Sequence, residues 1–573
     1  MTRSLLAAAL VLAAACSSTS GEPSLSDASV PPTDADRSNA DAGVDRASDS
    51  APSVPDLGSP VGWTDPSGST VLFSDVTDDA GVDVSFSSAL KVELAKDTAV
   101  MMGGAGAADF DNDGDTDLFI LGGGNHRDSL FVNDGTGTFT DITDEAGLAE
   151  PHLGSGVAVG DYDGDGWLDI FVTSHGTPES GAVTGAHRLY HNNGDLTFTD
   201  VAAQAGVAMT STITHDGFGA VFGDVDLDGD LDLFVAGWQR DALGTRLFQN
   251  DGDGTFTDIT AESGIVGDGV RGFSPCIVDM TGDRFPEILL VSDFGTSRYW
   301  SNSGDPVGAN ERFRDRTVAA GVGREWSGMG TAVGDVDNDG LLDWYATAIY
   351  DADDVGRGVG NALYINQGKN KFQEVAAEAG VDDGGWGWGA LMVDVNHDGW
   401  LDIIETNGWD LPSYVGNLSR TWIADGAGRF VDVAAEAGPL HNLHGLGVLA
   451  LDLEGDGDQD IAITASNDRF SLYRNDLVAT DAGWLRVVLD TGGDPSLAPN
   501  GIGSMIRVRA GRSQFTRTIG GCSNYNTTSE LTAHFGLGDV DVIDKVRVEW
   551  PNGKVTVLDD VEPNQTLTIR APD

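Results

Sequence analysis

The stretch Asp109-Phe-Asp-Asn-Asp-Gly-Asp-Thr-Asp117 carries carboxylates at positions 1, 3, 5 and 9 and glycine at position 6. Hard divalent cations take about six to eight oxygen ligands, and Ca2+ accepts the irregular geometry that such a loop supplies. Alternation puts Asp109, Asp111 and Asp113 on one concave side, Asp115 offers its backbone carbonyl, and Gly114 permits the sharp reversal before Asp117. The apolar run Leu118-Phe-Ile-Leu121 follows at once and reads as buried strand.

The loop resembles the first half of an EF-hand but does not close like one, because position 12 is Ile120 and no amphipathic helix follows. It recurs, with first residues Asp109, Asp161, Asp224, Asp279, Asp335, Asp394 and Asp452, at intervals of 52 to 63 residues. A fixed period of this size marks a repeat architecture. The second loop offers Asp161, Asp163, Asp165 and Asp169 with the Trp167 carbonyl, and the third Asp224, Asp226, Asp228 and Asp232 with that of Asp230. The fifth offers Asp335, Asp337, Asp339 and Asp343 with Leu341. The sixth uses one amide (Asp394, Asn396, Asp398, Asp402, with Trp400), and the seventh one longer acid (Asp452, Glu454, Asp456, Asp460, with Asp458). The fourth breaks the pattern with Thr281, Glu287, Pro286 and, at the glycine position, Arg284. A cation there predicts an empty loop, so about six Ca2+ ions are expected, as staples that relieve repulsion among clustered carboxylates.

Each repeat opens on a Phe-x-Asp-Val-like strand, as in Phe139-Thr-Asp-Ile-Thr or Phe256-Thr-Asp-Ile-Thr, and a turn ending in glycine. A small-residue strand runs into the loop, an apolar strand leaves it, and a Leu-Tyr/Phe-x-Asn strand follows, as in Leu189-Tyr-His-Asn192. Asn-Asp-Gly-type turns lead to the next Phe, a hairpin signal. Four short strands repeated seven times predict an all-β chain with a seven-bladed β-propeller over 69–480. Phe73 to Thr77 lacks a preceding partner and the last repeat ends at Asn475 without its final strand, so the two should pair and close the ring.

With those residues in view, the repeats resemble the FG-GAP/VCBS repeats of integrin α-subunit propellers. From Trp484 the chain resembles the ASPIC/UnbV domain, in Asn500-Gly-Ile-Gly503, Gly520-Gly-Cys-Ser-Asn-Tyr525, His534-Phe-Gly-Leu-Gly538 and Val548-Glu-Trp-Pro-Asn-Gly553. Repeats followed by that domain resemble the cartilage acidic protein family and its bacterial relatives, which implies an extracellular calcium-binding module. Residues 481–573 by themselves alternate in Lys545-Val-Arg-Val-Glu-Trp550 and read as a small antiparallel β domain.

The N-terminus reads as a targeting segment over 1–15: Arg3, an apolar run from Leu5 to Ala15, then Cys16. The small residues before Cys16 resemble a bacterial lipobox, which would make Cys16 the lipidated first residue; an ordinary signal peptide cut nearby is the alternative. Residues 16–68 are rich in Ser, Asp, Ala and Pro and read as a disordered acidic tether. The expected location is therefore extracytoplasmic, on the outer membrane or cell surface through the lipid anchor. Export permits a disulfide between Cys276 and Cys522, but Cys276 stands where other repeats place Gly106, Ala158 or Leu391, so a free buried cysteine is expected. The net charge of −59, with no basic patch, argues against a nucleic-acid partner.

No nucleophile–base set, phosphate-cradling loop or paired zinc spacing stands out. Five residues before each loop stand Gly104, Gly156, Gly219, Ser274, Gly330, Gly389 and Gly447, while His152, His215, Asp216, Arg271, Trp326, Trp386 and His444 lie a few residues earlier. The latter set begins the innermost strands and is expected to ring the mouth of the central channel, opposite the acidic loops. The expected function is a monomeric, surface-anchored module binding protein or glycan there; the alternative is an enzyme acting on polysaccharide or phosphoester at the same mouth.

Overall fold

Four short strands per repeat, separated by turns rich in Gly and Asn, pair antiparallel in the order in which they occur. The computed structural model describes residues 62–64, 68–88, 99–176, 186–209, 215–238, 244–308, 311–352, 358–409, 411–478 and 482–572; Val54–Asp573 forms one compact unit. The leader, Cys16 and nearly all of the tether lie outside these residues.

Blade one comprises Ala105–Ala108, Asp117–Ile120, Ser129–Asn133 and Phe139–Asp141, and blades two to six repeat the arrangement from Gly154 to Asp432. Blade seven takes Gly445–Leu451, Asp460–Ala465 and Ser471–Asn475 from the end of the repeats and Phe73–Asp75 from their beginning. Phe73 pairs with Asn475 and Asp75 with Tyr473, so the predicted closing strand is in place. Innermost strands neighbour one another around the ring, from blade seven back to blade one. The inner strands are buried on both faces, because each blade is covered by its neighbours. After the Phe-x-Asp strand, Asp141, Asp258 and Asp315 each accept the amide and hydroxyl of the Thr two residues on, which starts the tight turn.

The C-terminal residues form two small sheets. Ser513–Thr518, Met505–Ala510, Ile543–Glu549 and Val555–Val561 are antiparallel, as expected. Gly483–Asp490, however, pairs antiparallel with Ala533–Gly538 and parallel with Gln565–Arg570, so the domain is mixed rather than wholly antiparallel. Its core is continuous with that of blades two and three: Leu497, Ile502 and Phe515 cluster with Phe171, Phe222 and Leu231.

The segment Gly520–Thr528 leaves this domain and fills the propeller's centre. The Ser523 amide donates to the Pro275 carbonyl at 2.9 Å in blade four, and the Asn526 carbonyl accepts from Val157 at 3.1 Å in blade two. Thr527 and Thr528 add a parallel strand beside Ala105 and Gly106 in blade one, and the Thr527 hydroxyl donates to the Val448 carbonyl at 2.8 Å in blade seven. At the tip, Tyr525 is fully buried among Phe218, Phe273, Met329 and Trp388, with its hydroxyl 2.8 Å from the Met101 carbonyl. The Gly ring noted in the sequence is the steric counterpart: a Cβ on Gly330 would sit 2.0 Å from the Trp388 carbonyl oxygen, and one on Gly447 2.5 Å from that of Tyr525.

This insertion corrects the expectation of a free Cys276. Cys276 and Cys522 form a disulfide, with Cα atoms 4.1 Å apart across an antiparallel bridge. Their 246-residue separation leaves no local trace, and only the threading of the channel brings them together.

Candidate functional site

The acidic loops connect the first and second strands of each blade. In loops one, two, three and five three carboxylates converge: Asp109, Asp111 and Asp117; Asp161, Asp163 and Asp169; Asp224, Asp226 and Asp232; Asp335, Asp337 and Asp339 each bring oxygens within 4.8 Å of one another. The first Asp of each is oriented by two loop amides, as when Asp113 and Gly114 donate to the two oxygens of Asp109 at 3.1 and 2.9 Å. A carboxylate has about four acceptor sites, so each keeps capacity toward the cluster. Burial pushes the Asp117 and Asp343 carboxyls up to about 8 and Asp169 up to about 9. Charge of one sign so withdrawn from water requires a cation or protons. Asp226 Oδ1, and in loop six Asp394 Oδ1, are buried without a hydrogen-bond partner. All-oxygen donor sets with open acceptor sites fit a hard divalent cation.

The position-nine acid also holds the blade together. Asp232 accepts from the Val225 amide at 2.9 Å and from the Asn250 amide at 2.9 Å. The Asn250 side chain then donates to the Leu231 carbonyl and, at 2.8 Å, to the Tyr162 carbonyl in the loop of the preceding blade. Asn133, Asn192, Asn302, Asn366 and Asn475 make the same blade-to-blade link, whereas blade six has Ala424 in that place. The Asn was visible in the sequence, but its reach into the next blade was not. Asn250→Ala should destabilise the protein by about 1–3 kcal/mol, since it strands a buried carbonyl; denaturant unfolding monitored by tryptophan fluorescence checks this.

The residue before that Asn was missed in the sequence, and it contacts the position-three acid. His191 Nδ1 lies 3.2 Å from Asp163, the Gln249 amide donates to Asp226 at 2.6 Å, and Arg474 Nε lies 3.6 Å from Glu454. In loop four, Asp279 accepts amides from Thr281, Gly282, Asp283 and Arg284. Contrary to the expectation of a cation within the loop, Arg284 turns away from it, and its guanidinium donates to the Pro551 carbonyl at 3.1 Å.

The proposed channel-mouth residues separate into two kinds. His152 and Asp216 are buried, His152 near Asp128 at 3.8 Å and Asp216 near His175 at 3.7 Å. His215 pairs through its backbone with Gly176. Trp386, His444 and Arg271 pack among aromatic rings. Trp386 stacks on Trp409 at 4.7 Å and 9°, and Tyr414 stands edge-on to it at 5.3 Å. His444 packs 5.2 Å from Trp409, and the Arg271 guanidinium lies 4.7 Å from the Trp238 ring. Trp326 is partly buried, its carbonyl accepting from the Gly295 amide at 2.6 Å. The mouth is thus floored by the plug and rimmed by partly exposed Trp238, Trp386 and Tyr414.

Comparison with known proteins agrees with this architecture. The family described as FG-GAP-like repeat matches residues 109–172, 224–290 and 279–346, and that described as ASPIC and UnbV matches 494–573. Cartilage acidic protein 1 of Mus musculus is 23% identical over 488 residues, covering 82% of this chain and 64% of its own length. The Homo sapiens protein is 23% identical over the same length and the Xenopus tropicalis protein 24% over 507 residues, with 63% and 66% of their lengths covered. The chain therefore spans less than two thirds of these relatives. The solved rhamnogalacturonan lyase YesW aligns with a TM-score of 0.35 at 15% identity, over 73% of this chain and 74% of its own, a likeness too slight to bear on activity. This chain is a protein of FG-GAP-like repeats with a C-terminal ASPIC and UnbV domain, homologous to cartilage acidic protein 1.

Proposed function

We propose that this protein is an exported, calcium-stabilised binding module, anchored to the membrane only through lipid on Cys16, that recognises an extracellular protein or glycan at the aromatic mouth. The convergence of three carboxylates in each of four loops carries the calcium reading, with Ca2+ held by the oxygens of loops one, two, three, five and six. Kinship with cartilage acidic protein 1 supports an extracellular setting, as does the disulfide, since such bonds persist in oxidising compartments. Among the described residues no helix is long and apolar enough to cross a membrane.

Recognition at the mouth is supported by the stacked Trp386–Trp409 pair, since rigid aromatic rings supply contact area at low entropic cost. An enzyme at the same mouth would need an acid–base pair reached by solvent, and the His175–Asp216 pair is buried within blade two and its neighbour. The test is a glycan- and protein-array screen of the full chain with calcium, repeated with Trp326→Ala/Trp386→Ala. We expect the double variant to keep its fold and to lose at least about tenfold in affinity. Binding unchanged in that variant and lost in folded Asp335→Ala would move recognition to the acidic-loop face.

A further inference from the structure

Loop seven has a ligand pattern close to that of the loops proposed to bind calcium, yet its first carboxylate is used differently. Asp452 Oδ1 accepts amides from Gly455 at 2.8 Å and Asp456 at 3.2 Å, and Oδ2 accepts that of Gly457 at 3.0 Å. The extra amide comes from position four, as in loop four, where Gly282 donates to Asp279 at 2.7 Å. In loops one, two, three and five the short amide contacts to the first Asp come from positions five and six. An ion-pair partner comes from the C-terminal domain: Arg486 Nη1 lies 3.0 Å from Asp452 Oδ2. Three amides and a guanidinium thus surround Asp452 and leave little of its acceptor capacity open.

Arg486 is itself fixed. Glu530 accepts from its Nη2 at 2.9 and 2.8 Å, and accepts the Thr116 hydroxyl of loop one at 2.9 Å with the same carboxylate. Its side chain is only 10% exposed and that of Asp452 is fully buried. A second cation, Arg474, stands 3.6 Å from Glu454, the position-three acid, and closer still to Asp476. Two guanidinium groups thus face the two acids that a metal would need first.

We infer that loop seven takes no metal, and that Arg486 supplies the positive charge a cation supplies in the other acidic loops, docking the C-terminal domain onto blades seven and one. The inference rests on the calcium reading above and takes the six ions expected from the sequence down to five. Arg is suited to the place, because its planar fork stays charged and faces both Asp452 and Glu530 at once.

Metal analysis of the full chain after equilibration with excess Ca2+ tests it. Wild type should carry five ions, Asp335→Asn four, and Asp452→Asn and Glu454→Gln five each. Glu454 is partly exposed and its variant keeps the test open if Asp452→Asn does not fold. Six ions in wild type with one lost from Glu454→Gln would overturn this inference alone. A wild type with no ions would overturn the calcium reading and this inference with it.

Discussion

Removal of calcium with excess chelator should lower the melting temperature of this protein by many degrees, more than any one substitution in the propeller. Each filled site stabilises the fold by RT ln(1 + [L]/Kd), about 2.7 kcal/mol when the free ion stands at a hundred times Kd. Several independent loops together reach about 10 kcal/mol, comparable with the whole stability of an ordinary domain. The acids concerned have no alternative partners of opposite charge nearby in loop one: Asp109, Asp111 and Asp117 are held together by burial and backbone amides alone. Loop three has Arg312 at 3.8 Å from Asp226, so it should suffer less. Differential scanning calorimetry in Ca2+ and in chelator measures the effect. An identical melt in both would remove calcium as a folding ligand.

Tyr525→Ala should cost about 3–5 kcal/mol, the range for deleting a large buried aromatic side chain. The ring is fully buried at the centre of the propeller, 5.0 Å from Trp388 and 5.6 Å from Phe273, where surrounding blades cannot collapse into the void. Its backbone is also specialised: Tyr525 and Asn526 adopt φ of 72° and 62°, the left-handed conformation that turns the segment back toward blade one. Tyr525→Phe isolates the hydroxyl bond to Met101 and should cost only about 1 kcal/mol. Chemical unfolding of the two variants beside wild type gives both values. If Tyr525→Ala unfolds at the wild-type denaturant concentration, the plug does not hold the propeller.

The aromatic mouth and the plug are one structure seen from two sides. Tyr525 underlies Trp388, and Trp388 contacts Trp409, on which Trp386 stacks. A partner bound at the mouth would therefore rest on a floor supplied by the C-terminal domain, 246 residues beyond the cysteine that secures it.

The blades, their number, the acidic loops and the closing strand at Phe73 were legible in the sequence because each is a local pattern. Alternation, turn residues and loop spacing act over fewer than about a dozen residues, and repetition made them unmistakable. What only the tertiary structure decided are contacts between distant parts of the chain: the disulfide of Cys276 with Cys522, the Asn ties between blades, Arg486 at Asp452, and the burial of His152 and Asp216 in place of a solvated mouth. The glycines five residues before six of the seven loops show the division well. Their recurrence was plain from the chain, but the reason is the approach of neighbouring inner strands and of residues 524–527, which leaves no room for a Cβ. Local sequence can specify a strand and the loop that follows it; which segment will occupy the space where seven such strands converge is settled by packing alone.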